Sequence, residues 1–374
     1  MGEATAKQFL LLGGRPLWLW SAVIAQRLFA AGAIHEGVFV VPAGCEAEAE
    51  AALRPFSFPW TVTAGGAERS RSVLQGLRAA TGDFVLVHDG ARPFLTEALC
   101  RRVVAAASEE RGVVPLLPLS DALKRIDEAG EPTPCPREGV GLTQTPQCFH
   151  RLELEKALST FGAGVKDEAE AWHAAGGKLT AVEGDRCNMK ITWPEDLTFA
   201  RSLAQKSFRT GMGYDVHPLV PGRKLLLGGV LIPGFPLGVL GHSDGDAMVH
   251  ALCDALLGAS GLGDIGTLYP ASCPGHKDRD SLFFLEDTAR SVQALGWTME
   301  WADGVLIAQE PRLAPYVSVM LSAMDGALPP SWRGKMNLKV KSGEGEGNVG
   351  QCCSVVSHMV VTLSAPAWLS GEDF

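Results

Sequence analysis

The sequence predicts an α/β protein built as two domains. Three observations carry this. The 374 residues exceed what one ordinary hydrophobic core organises. In the first half, near-continuous apolar strands alternate with helical segments. Near Gln205-Lys206-Ser207 that pattern stops, and Gly211-Met212-Gly213 opens a new strand pattern. We therefore expect domains at 1–205 and 208–374, with a short linker that leaves the modules limited independent motion.

In the first domain, Gly37-Val38-Phe39-Val40-Val41-Pro42 and Asp83-Phe84-Val85-Leu86-Val87-His88-Asp89 read as buried parallel strands, and Arg69 to Ala80 between them reads as a helix. Such strands, separated by helices, predict a parallel sheet covered on both faces. Ligands of such sheets sit beyond the carboxyl ends of the strands. His88-Asp89-Gly90-Ala91-Arg92-Pro93 is such an end, with an acid and a base expected to be exposed together. The domain closes with a helix from Pro194-Glu195-Asp196-Leu197 to about Ala204.

The second domain carries the most specific chemistry. After Gly245, Val249, Leu252, Leu256 and Leu257 recur at the spacing of a buried helix face. On the same helix Asp246, His250 and Asp254 lie four apart and form one polar stripe. Asp215 and His217 are two apart, so an extended segment sends both side chains to one face. A lone His on a helix face is ordinarily just solvated. Asp215-Val216-His217 together with Gly241-His242-Ser243-Asp244-Gly245-Asp246 and His250 supplies two imidazoles and a carboxylate for one divalent metal. Three protein ligands and an open fourth position make a catalytic zinc site, not a closed structural one. Ser243, Asp244 and Asp246 are near enough in sequence to hydrogen-bond the ligands from behind. The stretch from Lys339 to Gly350 offers two further carboxylates, Glu344 and Glu346, in a Gly-rich loop, and the residues alone do not choose between them.

Composition excludes other classes. A formal charge of −9 argues against a nonspecific nucleic-acid binder, so anionic substrates must meet local basic pockets or metals. Nine cysteines without CxxC spacing or a secretory leader read as reduced thiols of a cytoplasmic protein. The adjacent Cys352-Cys353 is expected to pack within a strand. No apolar run approaches the roughly 18 residues of a membrane span, and neither a transit peptide nor low-complexity sequence is evident.

From about Arg209 to Leu363 the chain resembles 2-C-methyl-D-erythritol 2,4-cyclodiphosphate synthase, an α+β fold. The resemblance rests on Gly213-Tyr214-Asp215-Val216-His217, Leu226-Leu227-Gly228-Gly229-Val230, His242 through His250, Gly263-Asp264-Ile265-Gly266, and Ala308-Gln309 followed by Pro311. It implies one zinc per site on Asp215, His217 and His250, with His242 and Ser243 on the substrate side. Asp264, with Ile265 and Gly266, would bind the cytidine ribose, and Ala308, Pro311, Arg312 and Leu313 would lie along the base and diphosphate. The family's Thr-Thr-Glu-x-x-Gly-x-x-Gly pattern selects Glu344 for a second cation, Mg²⁺ or Mn²⁺ on the nucleotide phosphates, and gives Ser342 the phosphate-binding hydroxyl. Gly343 stands where a second Thr is usual, Gln351 where Arg is common, and Ala271 where a carboxylate is usual. The implied reaction is attack of a terminal phosphate on a cytidine diphosphate ester, closing a cyclic diphosphate and expelling CMP. The resemblance also implies a trimer of this domain.

From Lys7 to about Leu203 the chain resembles 2-C-methyl-D-erythritol 4-phosphate cytidylyltransferase, a doubly wound, Rossmann-like nucleotidyltransferase fold. The strings are Lys7-Gln8-Phe9, Gly65-Gly66-Ala67-Glu68-Arg69 with Ser72-Val73, Val87 through Pro93, Asp121 with Lys124-Arg125, Thr145-Pro146-Gln147, Asp167-Glu168-Ala169, and Asn188-Met189-Lys190. The resemblance implies that Lys7 and Lys190 neutralise the α-phosphate of CTP. Asp89, Arg92, Arg137 and Thr145 would hold the sugar phosphate, while Gly65, Gly66 and Ser72 would lie at the cytosine and ribose. The family pattern opens with a strand and a Gly-rich phosphate loop, whereas six residues precede Lys7 here. The expectation from that departure is little or no cytidylyl transfer by a chain starting at Met1, and unpaired edges on the strands beside the missing one. Ala122 replaces a usual Thr, and Cys187 a common Asp.

The reading reached is a bifunctional enzyme of isoprenoid-precursor synthesis acting on CTP and small phosphorylated substrates, with no nucleic-acid or membrane partner. Two others share its observations: a cyclase fused to a catalytically impaired nucleotidyltransferase-like scaffold, and a zinc-containing cytidine-nucleotide binder without turnover.

Overall fold

The computed structural model describes residues 7–241, 243–270 and 279–369. The chain forms two compact units that divide after Ala204.

The N-terminal unit runs through the small hairpin β1 (Leu11–Leu12) and β2 (Arg15–Pro16), then α1 (Leu19–Ala30), β3 (Gly37–Val41), α2 (Glu46–Leu53), β4 (Trp60–Ala64), α3 (Arg69–Ala79), β5 (Phe84–Val87), α4 (Glu97–Ala105) and β6 (Arg111–Pro118). An arm follows, made of β7 (Leu123–Ile126), β8 (Pro132–Cys135) and β9 (Gly141–Thr143). Then come β10 (Gln147–His150), α5 (Arg151–Phe161), α6 (Glu168–Ala174), β11 (Lys178–Glu183) and α7 (Pro194–Leu203). Strands β11, β6, β10 and β5 are neighbours in that order, with β9 also on β6, while β3 and β4 form a separate parallel pair. β6 is buried on both faces: Val113 and Val114 point oppositely and both are buried. Val114 and Phe149 meet Leu77 of α3, Leu154 and Leu158 of α5, and Trp172 of α6 in one core, and α4 packs on β6, β10 and α1.

The strand and helix alternation predicts a parallel sheet, whereas the sheet is mixed. β10 lies antiparallel to both β5 and β6. The chain returns to the sheet through the β7–β9 arm, which holds no helix to carry it back to the start of β6, and a parallel return usually uses one. The strands β3 and β5 are also half-buried instead of enclosed, and among the described residues each forms an edge.

The C-terminal unit begins with β12 (Lys206–Pro221), followed by the pair β13 (Leu226–Leu227) and β14 (Val230–Leu231), then β15 (Leu237–Val239), α8 (Ala247–Ser260) and the single turn α9 (Ile265–Leu268). After these come α10 (Ser281–Ala294), β16 (Thr298–Ile307), α11 (Val317–Ala327), β17 (Met336–Lys341), the turn α12 (Gly347–Gly350) and β18 (Ser354–Pro366). The sheet order is β15-β12-β18-β16-β17, antiparallel except for β16 with β17. β12 starts at Lys206, ahead of the Gly211 where the sequence pattern opens, because Lys206 to Arg209 pair with the far end of β18. Cys352 and Cys353 lie in the turn before β18, not within a strand, and Cys352 takes a φ of 56°. The Cys353 carbonyl still accepts from the Leu219 amide of β12 at 2.9 Å, but both side chains lie ahead of the strand, so the strand-packing expectation fails there.

One face of this sheet carries α8 and α10 over a continuous apolar core that includes Val249, Leu252, Leu256, Met299, Val355, Met359 and Leu363. α8 lies almost on the backbone of β12. A Cβ on Gly213 would stand 1.8 Å from the Ala251 carbonyl oxygen, and one on Gly211 2.1 Å from that of Ala255. The other face leaves Phe208, Met212, Tyr214, Val216, Trp301 and Val360 exposed. No helix among the described residues is long and apolar enough to cross a membrane.

Candidate active sites

The first site grows from the register of β12 against α8. Odd-numbered residues of β12 face the helix, so Asp215 and His217 leave the strand on the same side as Gly211 and Gly213. His250 stands one turn into α8 and meets them. Asp215 Oδ2 lies 2.9 Å from His217 Nε2 and 3.1 Å from His250 Nδ1, and the two imidazole nitrogens are 3.3 Å apart. A tetrahedral zinc with bonds near 2.0–2.2 Å holds its ligand atoms about 3.3–3.5 Å apart. The three atoms therefore fit one ion with little movement, and the donor set of two imidazoles and a carboxylate suits zinc. The cluster is polarised accordingly. Burial alone raises the Asp215 pKa, but hydrogen bonds and charge from His217 and His250 bring it down to about 2. Burial lowers that of His217, and the Asp215 carboxylate outweighs it and holds the pKa above its ordinary value.

The ring nitrogens facing away from the cluster are also engaged. His217 Nδ1 is 3.0 Å from the Leu240 carbonyl. His250 Nε2 is 3.1 Å from Ser243 Oγ and 3.0 Å from Ser281 Oγ, and both serines are buried. Asp244 reaches His250 through Ser281, not directly. Asp246 does not touch the imidazole at all. Buried as the N-cap of α8, it accepts from the amides of Met248 and Val249 and from those of Gly228 and Gly229, tying the β13–β14 loop to the start of the helix. The polar stripe expected on α8 is thus split. Asp254 accepts from the Ile265 amide at 2.8 Å and braces the loop in which exposed Asp264 caps the Ile265–Leu268 turn, with Gly266 inside that turn. His242 and Ala271 lie outside the described residues.

The remaining candidates of this unit gather at one end of the sheet. Lys341 of β17 pairs with Ile307 of β16, Ile307 with Val356, and Val356 with Val216. Buried Ala308 and Leu313 and exposed Arg312 follow β16, with Pro311 after a cis peptide bond. Ser342 Oγ donates to Glu344, and the Gly345 amide donates to Gln309 at 3.2 Å, so the Glu344 loop and the Ala308 segment meet. Glu344 itself is exposed, with a φ of 49°. A Cβ on Gly343 would lie 2.5 Å from the Gly350 nitrogen, so this loop closes more tightly than the family's second Thr would permit.

The second site lies at the carboxyl end of β5. The Asp89 carboxylate accepts from Arg69 at 2.9 Å on one oxygen and from Lys190 Nζ at 2.8 Å on the other. Arg69 also grips buried Glu168 with both terminal nitrogens, at 2.6 and 3.0 Å. Burial would raise the Asp89 pKa, but Arg69 and Lys190 hold it well below the usual carboxylate range. Lys7 donates to the carbonyl of Thr192, two residues past Lys190, so both lysines border one segment. Arg92 bonds the Asn188 carbonyl at 2.7 Å, and its buried Nε has no partner among the described residues. Gly65, Gly66 and Ser72 form a tight turn after β4, with the Gly66 amide 3.1 Å from Ser72 Oγ. Thr145 is buried, its hydroxyl taken up by the Asp89 amide and His88 Nδ1. Arg137, exposed beyond β8, bonds the Ser120 carbonyl and is not among the partners of Asp89.

Two features differ from expectation. His88 is not displayed beside Asp89: its ring turns inward between Thr145 and the Arg92 carbonyl, because both ring nitrogens find partners there. Arg69 and Glu168, present in the quoted strings but given no role, turn out to organise the cluster. A buried carboxylate cannot be told from a solvated one by residue type, and their separation of 99 positions hides the pair.

Burial pushes the His88 pKa down from 6.5 to about 4, outweighing its hydrogen bonds. Below pH 6.5 the unfolded chain takes up a proton that the folded chain refuses until about pH 4, so stability present above pH 6.5 drains away across that interval. In urea titrations of the full chain, His88→Asn should flatten the fall of unfolding free energy over this range by about 1.4 kcal/mol per pH unit. Identical slopes for the two proteins would contradict the assignment.

Comparison with known proteins places both units in families. Residues 1–206 match the family model for 2-C-methyl-D-erythritol 4-phosphate cytidylyltransferase, and residues 208–364 match the YgbB family. The bifunctional enzyme IspD/IspF of Anaeromyxobacter dehalogenans (strain 2CP-C) is 42% identical over 366 residues, spanning 96% of this chain and 93% of the relative. That of Desulfotalea psychrophila (strain LSv54 / DSM 12343) is 38% identical over 338 residues, spanning 87% and 86%. Among solved structures, the bifunctional IspDF from Campylobacter jejuni is 30% identical, with 97% of this chain and 94% of that one covered at a TM-score of 0.49. On the sequence matches, which run through both units, the chain belongs to the bifunctional IspD/IspF enzymes.

Proposed function

We propose that each unit performs the reaction of its family, the N-terminal one against the expectation drawn from the six residues before Lys7, and that Asp215, His217 and His250 hold the zinc of the cyclase half. The observation that carries this is the meeting of those three ligand atoms within 3.3 Å of one another. In the C-terminal unit the substrate is 4-diphosphocytidyl-2-C-methyl-D-erythritol 2-phosphate. An oxygen of its terminal phosphate attacks the phosphorus nearer the sugar alcohol, and the bond to the CMP oxygen breaks. When bound, the metal polarises a phosphate oxygen as a Lewis acid. The chain's own residues supply position. Ser342 donates to phosphate, Asp264 takes the ribose hydroxyls, and Ala308, Pro311, Arg312 and Leu313 line the cytidine diphosphate. Glu344 serves a second cation, Mg²⁺ or Mn²⁺.

In the N-terminal unit, an oxygen of 2-C-methyl-D-erythritol 4-phosphate attacks the α-phosphorus of CTP and pyrophosphate leaves. Lys190 and Lys7 neutralise the charge that builds on the α-phosphate. Asp89 holds Lys190 in place at 2.8 Å. The Nε of Arg92, without a partner among the described residues, is a donor for the sugar phosphate. Chelator-stripped chain resupplied with Mg²⁺ alone, and His250→Ala, should lose CMP release by roughly a hundredfold or more, with pyrophosphate release from CTP unchanged. Zinc should restore the stripped wild type only. Lys190→Ala should show the converse pattern. Full CMP release from metal-free wild type would overturn the zinc reading.

We further propose that the C-terminal unit assembles as a trimer through its uncovered sheet face. Met212 is 70% exposed and Phe208 60%, and they stand beside Tyr214, Val216, Trp301 and Val360. An apolar strip of that extent marks an interaction surface. The eight described cysteines are free thiols, which accords with a cytoplasmic protein. Light scattering should give the mass of three 39.7-kDa chains, and Met212→Glu should lower it. A wild-type monomer would contradict the proposal.

A further inference from the structure

Ser281, the first residue of α10, is drawn into the metal centre from 31 positions away. It is 1% exposed, and its Oγ lies 3.0 Å from His250 Nε2 and against Asp244 Oδ1. Asp244 is in turn fixed, accepting from the Ser281 amide at 2.9 Å and the Asp246 amide at 3.2 Å. An ionised carboxylate only accepts, so the single hydroxyl hydrogen of Ser281 goes to Asp244. The oxygen of Ser281 then presents lone pairs to His250 Nε2 and favours a proton there. Ser243 Oγ, 3.1 Å from the same nitrogen, offers a second acceptor. Asp215 Oδ2, 3.1 Å from Nδ1, competes for that proton until an ion takes the carboxylate. The lone pair of His250 is then left on Nδ1, the atom that faces Asp215 and His217.

We propose that Ser281 is a positioning residue of the metal centre: the chain Asp244–Ser281–His250 sets the imidazole in the tautomer and orientation that deliver Nδ1 to the ion. This rests on the reading of Asp215, His217 and His250 as the ligands. His217 is set in the same way by a different acceptor, the Leu240 carbonyl at its Nδ1. The two histidines thus bind through different nitrogens because their outer partners differ. Replacing Asp244 by Ala should release the relay. The Ser281 hydroxyl then has no carboxylate to donate to and is free to turn its hydrogen toward His250 Nε2, which favours the wrong tautomer.

The test is zinc affinity of the full chain, measured by competition with a chromophoric chelator, with the visible absorption of the Co²⁺-substituted protein as a second readout. Ser281→Ala and Asp244→Ala should weaken zinc roughly 10–100-fold and alter the Co²⁺ bands, whereas Ser281→Thr should keep wild-type affinity. Melting of the metal-free proteins is followed alongside. Should Ser281→Ala not fold, Ser281→Thr and Ser281→Val carry the comparison, since they differ only by a hydroxyl against a methyl. Equal zinc affinity in wild type and Ser281→Ala, or in the Thr and Val variants, overturns the relay alone. Wild-type protein that binds no zinc, as His250→Ala is expected to behave, overturns the metal reading and the relay with it.

Discussion

The close approach of α8 to β12 is the constraint on which the C-terminal site depends. Glycines at 211 and 213 remove the side chains that would hold the helix away, and the backbone carbonyls of Ala251 and Ala255 occupy the space. With the helix at that distance, the His250 imidazole one turn into α8 falls over the Asp215 carboxylate and the His217 imidazole on the strand. Asp246 then fixes where the helix starts, by gathering amides from α8 and from the β13–β14 loop on one buried carboxylate. The imidazole of His250 therefore sits on a scaffold with little freedom to slide or rotate. Preorganisation of this kind serves a phosphoryl transfer well, since that chemistry asks the protein mainly for position and charge.

The N-terminal site solves a different electrostatic problem. A chain of net charge −9 must welcome a triphosphate and a sugar phosphate. Cations are concentrated locally for it: Arg69 and Lys190 meet on one carboxylate, and Arg92 and Lys7 bond the Asn188 and Thr192 carbonyls beside Lys190. Asp89 is half-buried between two cations and stays ionised, so it restrains them instead of adding repulsion. Glu168, buried behind Arg69, fixes the guanidinium from the other side. Compensated charges of this sort cost little when every donor has an acceptor, and they are expensive to break singly.

Much of this was legible in the residues. Asp215 and His217 declare a shared face because a strand has a period of two, and the apolar positions from Val249 to Leu257 declare a helix. Strand β5, helix α3 and helix α7 are readable for the same reasons. What escaped depends on distance along the chain or on burial. Ser281 is an ordinary serine until the fold sets it behind His250, and Arg69 with Glu168 becomes a pair only once α3 and α6 pack together. The antiparallel placement of β10 escaped because the β7–β9 arm is exposed and Pro-containing, with no apolar strand signal to announce a hairpin return. His88 reads as half of an acid–base pair, and its inward turn is set by Thr145, 57 positions later.

The claim at the centre of the account is that one ion joins β12 to α8. X-ray absorption at the zinc edge combined with anomalous diffraction from zinc-loaded crystals tests it directly. The account predicts a single strong anomalous peak bonded to His217 Nε2, His250 Nδ1 and an Asp215 oxygen at about 2.0–2.2 Å, with no sulfur in the coordination shell. A metal found elsewhere, bound through His250 Nε2, or ligated by cysteine would contradict it.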